Sequence, residues 1–292
     1  MNWSKAKVIL IAIFLITDIF LAVKTYNAGQ GMRISADIIA NTKKILSNNN
    51  INIQCDIPTK INKLSWMIFQ YEDTDKKAIA RRFLGTDSVE WLPVNNGEQA
   101  RFGTTTLLIS EDETIIFSEI NPQIVGKGMS LSKAEKSIRT HIKKYFPRIS
   151  RYIVDKKFID SFGNYNFTFI ELYNNGYGIF DNYIKVSVGA DGTITTESFY
   201  IKALGTTHEG KEILNINEIL LAGFMNDMKE CGNAVTISDI KLGYLAITGG
   251  KNLLHSDMLS GNIQSSPSWR ITTSDENEYF YNAYNGRKHI RN

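Results

Sequence analysis

Tyr165-Asn166-Phe167-Thr168-Phe169 alternates apolar and polar side chains, and this stretch, read with the Asn174-Asn175-Gly176 and Asp191-Gly192 turns downstream, decides the fold class. A strand turns successive side chains to opposite faces, so Tyr165, Phe167 and Phe169 form one apolar face. Asn, Asp and Gly tolerate the positive φ of tight turns, which predicts a meander of strands at 152–159, 165–173, 179–188 and 193–201. Just upstream, Ala134, Ile138, Ile142 and Tyr145 recur at helical spacing up to Pro147, behind a Ser132/Glu135 pair with the S-x-x-E spacing of a capping box. The expectation is one helix laid on one antiparallel sheet.

The same order recurs downstream. Asn215 and Glu218 resemble a capping box, Leu214 and Ile219 stand where a hydrophobic staple would, and Ile216, Ile219, Leu220, Phe224 and Met228 face one way until Gly232. Strands follow at 235–248, 268–273 and 279–284, closed by Asn285-Gly286; Trp269, Tyr279, Phe280 and Tyr281 are expected in the core. The connection 249–267 carries Leu253, Leu254, Met258 and Leu259, which either fold back on the core or face a partner. Upstream, a helix capped by Ser35 presents Ile38, Ile39, Thr42, Ile45 and Leu46 and stops at Asn48-Asn49-Asn50. A strand at 51–55, another at 64–71, a helix at 75–84 closed by Gly85, and strands at 88–93, 100–109 and 114–120 follow, the last two joined through Glu111-Asp112-Glu113.

The amino terminus sets the compartment. Met1-Asn2-Trp3-Ser4-Lys5-Ala6-Lys7 precedes an apolar run from Val8 to Val23, and Trp3 to Tyr26 would span roughly 35 Å as a helix, enough to cross a bilayer with an aromatic ring near each interface. The residues after the run offer no small-x-small cleavage site, so a retained anchor is expected rather than a removed signal peptide. Lys5 and Lys7 on the short leader orient it with the amino end in the cytoplasm and everything from about Lys24 outside. Asp18 interrupts the run, where an ionised carboxylate costs about 2.5–3.5 kcal/mol. It either has access to water or meets a polar group on another helix. The chain thus reads as α+β: an N-terminal transmembrane helix followed by tandem units of helix packed on antiparallel β-sheet. The divisions are a tail at 1–7, an anchor at 8–27, an α+β domain at 33–127 and two similar units at 128–205 and 206–292.

Composition excludes several function classes. A net charge of +3 with scattered basic residues gives no footprint for nucleic acid. His141, His208, His255 and His289 lie far apart in no metal-binding spacing, and no cofactor motif occurs. No G-x-S-x-G elbow is present, and Gly189-Ala190-Asp191-Gly192 joins two strands rather than cradling a phosphate. An enzyme is disfavoured. Cys55 and Cys231 are expected as isolated thiols, although a pair is open to them outside the cell.

The W-S-K-A-K leader with an acid inside its apolar run, Leu242-Gly243-Tyr244, Ser268-Trp269-Arg270-Ile271, and Tyr279 to Gly286 together resemble the YycI family of membrane-anchored regulators. The middle unit, with Tyr183-Ile184-Lys185-Val186 ending at Asp191-Gly192, is similar to PepSY-type modules. The resemblance implies a non-enzymatic protein that pairs with a YycH-type sister protein outside the cell. It also implies contact with the transmembrane helices of an essential sensor histidine kinase, for which Phe14, Thr17, Asp18 and Leu21 are the expected contact residues. An anchored PepSY-type binding or inhibitor module is the alternative, and an anchored cell-wall hydrolase the third.

Overall fold

A computed structural model describes residues 13–15, 17–19, 33–60, 63–70, 75–121, 124, 128–173, 176–229, 234–246 and 262–289. Among these, no helix is long and apolar enough to cross a membrane. Most of the expected anchor, including Leu21, lies outside the described residues, as do Cys231 and the stretch with Leu253, Leu254, Met258 and Leu259.

Helix α1 (Ala36–Ser47) begins at Ser35, whose side chain accepts from the Ile38 amide. It buries Thr42 and Leu46 but leaves Ile38 and Ile45 exposed, so only part of its apolar stripe faces the core. Strands β1 (Ile51–Ile53), β2 (Lys63–Leu64) and β3 (Met67–Gln70) follow. The single strand expected at 64–71 is therefore two. Helix α2 (Lys76–Leu84) is capped by Asp75 and ends at Gly85, whose φ of 77° is the left-handed C-terminal conformation that glycine favours. Strands β4 (Leu92–Val94), β5 (Gly97–Phe102), β6 (Thr105–Ser110) and β7 (Ile115–Ile120) form a meander. The strand expected at 100–109 breaks in two because Gly103, at φ 60°, turns the chain.

Helix α3 (Leu131–Ile142) sets Ala134, Ile138 and Ile142 against β8 (Tyr152–Ile159), β9 (Tyr165–Leu172), β10 (Gly178–Val188) and β11 (Thr193–Phe199). The Ser132/Glu135 capping box does not form. The helix starts at Leu131, which puts both residues inside it, and Glu135 instead pairs with Arg139 and Lys157. Strands β12 (Lys202–Thr206) and β13 (Lys211–Glu212) were not expected from the alternation; they pair with β3 and β2. The next helix is α4 (Ile216–Glu218), a π-helical turn (Ile219–Phe224) and α5 (Met225–Lys229), and its Asn215/Glu218 capping box is formed in both directions. Strands β14 (Val235–Tyr244), β15 (Ile263–Ser265), β16 (Pro267–Thr273) and β17 (Glu278–Asn282) complete the chain. Of these, β15 lies inside the expected connection 249–267, where it pairs with β3.

Twelve strands make one sheet, with the path β17-β16-β14-β10-β11-β7-β6-β5-β4 and β1, β8 and β9 attached to it. Pairing is antiparallel except where β14 meets β1 and β10, both parallel, a departure from purely antiparallel units. The residues before and after positions 128 and 206 therefore hydrogen-bond across both expected divisions. Leu46, Ile51, Ile57 and Leu64 share a core with Ile216, Leu220, Phe224, Trp269 and Tyr281, so the segment 46–64 completes the C-terminal unit. Helix α2 and strands β5–β7 hold a separate core around Phe83, Leu107 and Phe117.

Candidate functional site

Strand β10 carries β9 along one edge and divides its other edge between β11, over residues 183–188, and β14, over Gly178 and Ile179. The sheet forks at the irregularity between Ile179 and Tyr183. Two consecutive, fully buried polar residues occupy the fork: Asp181 accepts from the Ala246 amide at 2.6 Å, beyond the end of β14. Asn182 accepts from the Ile201 amide and donates to the Ile201 carbonyl and to Glu171, beyond the end of β11. Buried polar groups in a strand are costly unless bonded, and here the bonds tie each branch to the trunk. Close backbone approach also needs Gly243, where a Cβ would stand 2.3 Å from the Gly178 oxygen.

In front of the fork lies an ion network. Asp155 occupies a bulge in β8, between Val154 and Lys156, and the extra residue aims its carboxylate away from the strand's own ladder. Arg270 donates to it through two nitrogens, at 2.7 and 2.6 Å, and Lys241 donates at 2.8 Å. Asp239, beside a bulge in β14, lies 3.0 Å from Lys241 and 3.5 Å from Arg270, while Glu278 bridges Arg270 and Lys156. The Asp155 and Arg270 side chains are 1% and 3% exposed, and the guanidinium carbon sits 4.8 Å from the centroid of the Phe180 ring. Burial alone would raise the Asp155 carboxyl, but the hydrogen bonds and charges of Arg270 and Lys241 outweigh it and hold it below the usual carboxylate range. Burial likewise opposes the Arg270 charge, and Asp155 raises its affinity for the proton above the ordinary value. Held so, neither group suits proton transfer near neutral pH. The network clamps the middle meander to the C-terminal strands.

From this clamp a trough of about 920 Å³ runs over the face of the sheet opposite α2 and α3. Cross-strand register builds its floor: Glu197, Lys185, Thr168 and Lys156 are successive partners in one row, which continues beyond the trough to Ile116 and Leu108. Thr195, Ser187, Asn166 and Phe158 form the next, which continues beyond the trough to Ser118 and Thr106. Glu197 accepts from Lys185 at 2.9 Å and from the Tyr183 hydroxyl at 2.7 Å, and Ser118 and Thr195 bond at 3.0 Å. The lining combines small hydroxyls, an amide and charges of both signs with the apolar Phe158, Ile170 and Phe180. Among the described residues no group of His, Cys, Asp and Glu is arranged to hold a metal. At the edge of the trough the hairpin tip leaves Phe162 85% exposed, its loop braced by Asp160, which accepts from the Phe162 and Asn164 amides.

The residues expected to carry function lie elsewhere. Phe14, Thr17 and Asp18 fall in short helical pieces and are exposed, with the Thr17 hydroxyl donating to the Ile13 carbonyl at 2.8 Å. His141, which read as unremarkable, packs on α3 against Glu119 of β7, and Tyr145 donates to the same carboxylate at 2.9 Å. Burial raises Glu119, but the His141 and Tyr145 hydrogen bonds and nearby cations bring it below its ordinary value. Trp269, Phe280 and Tyr281 are buried as expected. Cys55 is a half-buried free thiol, its pKa raised by burial. Sequence reading missed Asp155, Asp181, Asn182 and Arg270. An Asp-Asn pair inside the apolar run 178–188, and an Arg between Trp269 and Ile271, were the available signals.

The family model described as YycI protein matches residues 30–284. No curated protein matches the chain. Two solved structures are similar in part. An uncharacterized protein from Eubacterium rectale ATCC 33656 is 15% identical over 82% of this chain and 91% of its own, with a TM-score of 0.46. The Bacillus megaterium YpeB C-terminal domain is 14% identical over 76% of this chain and 96% of its own, with a TM-score of 0.36.

Proposed function

Since the chain belongs to the YycI family, we propose that it acts as a membrane-anchored, non-enzymatic regulator within the YycFG two-component system. The family match over residues 30–284 is the observation that carries this reading. The apolar run 8–23 spans the cell membrane once with its amino end in the cytoplasm, and the α+β region stands outside. The signal passes sideways through the helix to the transmembrane helices of the kinase YycG. Lipid-facing Ile and Leu gain little on leaving lipid for another helix, whereas a polar group gains more, so Asp18, with Thr17, Phe14 and Leu21 around it, gives the contact direction. Outside, a YycH-type partner lies on the helix-free trough, whose mixed rows and braced Phe162 suit a protein surface.

Two measurements test the reading. Exchanging residues 8–23 for an unrelated transmembrane helix is expected to abolish kinase regulation while leaving the exported region in place; full regulation after the exchange would leave the helix a tether. Asp18→Leu is expected to insert more stably and to lose co-purification of the kinase from membranes, and unchanged recovery of the kinase would refute the contact. The same trough also supports a second reading, an anchored PepSY-type binding module, which the helix exchange separates from the first.

A further inference from the structure

A second cleft opens where the sheet fails to close. Strand β14 meets β1 over Val235–Ile237 and β10 over Gly243 and Tyr244, and among the described residues no strand lies along the same edge at 238–242. The gap leaves a cleft of about 510 Å³, within the range of small-molecule pockets. Its walls are apolar: Ile153 of β8, Ile170 and Leu172 of β9, Phe180 of β10, Leu242 of β14 and Trp269 of β16. A polar ligand would lose its hydration there without finding partners.

The cations of the cleft are not equivalent. Lys241 is held by Asp155 and Asp239. Lys60, at the mouth, is exposed and has no ion pair among the described residues. Arg33 pairs with Lys60 through an isolated antiparallel bridge and adds a second exposed cation beside it. An apolar slot with positive charge at one end matches an amphiphile: one hydrocarbon chain inside and an anionic head at the mouth. Position favours the same ligand. The expected membrane span ends near residue 27, and the few residues to Arg33 reach at most about 20 Å when extended, so the mouth stays within reach of the lipid surface.

We propose that this cleft takes the chain of a fatty acid drawn from the membrane, with Lys60 and Arg33 on its carboxylate. The membrane source rests on the anchor reading; the fit of chain and head to the cleft does not. The test uses the full chain in phosphatidylcholine nanodiscs, a photoactivatable palmitate carrying a diazirine, and peptide mapping after irradiation. Label is expected on peptides holding Ile153, Leu172 or Leu242, displaced by unlabelled palmitate, and separately on the 8–23 peptide. Lys60→Glu is expected to lower the cleft label about tenfold, the size of a lost charge-assisted hydrogen bond. Ile153→Glu, at a position already 38% exposed and so tolerant of change, is expected to lower it at least as much, with the 8–23 label unchanged in both variants. Absence of cleft label, its persistence in both variants, or equal labelling by the corresponding fatty alcohol or by an extended apolar peptide would overturn the proposal. Cleft label without label on 8–23 would uphold the site and refute the anchor.

Discussion

The middle and C-terminal helix-on-sheet units share an order of elements and differ in what completes them. Helix α3 starts after Ser130 with no side-chain cap, and its buried stripe rests on the meander that follows it in sequence. The helix α4–α5 has a reciprocal capping box and a π-helical turn, yet its core is filled from far upstream by Leu46, Ile51, Ile57 and Leu64. One unit is closed by near neighbours, the other by the segment that continues toward the expected anchor. The C-terminal unit is therefore the part of the fold most directly coupled to the N-terminal segment.

The largest test of this contrast strikes the clamp between the two units. Arg270→Met leaves Asp155 buried without its main partner and is expected to cost about 3–5 kcal/mol in denaturant unfolding of the full chain. The double variant with Asp155→Leu should recover much of that loss, because the uncompensated charge is gone. Leu46→Ala, which opens a cavity in the core of the C-terminal unit, is expected to cost about 2–5 kcal/mol. Hydrogen exchange should then quicken in β16 and β17 and stay slow in β9 and β10; equal loss in both would erase the distinction between the units. Asn215→Ala should cost about 1 kcal/mol and Ser130→Ala less than about 0.5 kcal/mol, since only the first side chain holds an amide. Acid provides the mildest probe. The carboxyl of Asp155 is depressed in the folded state, so its contribution is complete above the unfolded value near about 3.9 and is lost as pH falls through the lower folded value. Glu119 behaves in the same direction at the junction of α3 and β7. Melts recorded downward from pH 5 should lose stability fastest below about pH 4, with a shallower slope in Asp155→Asn.

Much of the fold was legible because its signals are local. The alternation at 165–169, the Asp191-Gly192 turn, the Gly85 stop and the Asn215/Glu218 box each depend on residues within a few positions of one another, and each formed as read. The errors share a cause as well. Ser132 and Glu135 have capping spacing, but the start of a helix is chosen by where its apolar stripe meets the sheet, and Leu131 precedes them. Two-residue strands such as β2 and β13 are too short to show a period and exist because each supplies the other's partner. The clamp was invisible for a stronger reason. Asp155 and Arg270 are separated by more than a hundred residues, and the bulge that aims the carboxylate has no signature in a strand reading Tyr-Ile-Val-Asp-Lys-Lys.

What the sequence by itself determined is the family and the α+β class, together with the expectation of an anchor, because periodicity, turn chemistry and a long apolar run act over short distances. Tertiary structure alone decided that the helix-on-sheet units share one forked sheet and that the N-terminal segment completes the last core. It also decided that buried Asp155, Arg270, Asp181 and Asn182 sit where the branches meet. Such joints depend on which distant strand edge remains unpaired and which buried charge needs a partner, and those conditions arise only once the chain has packed.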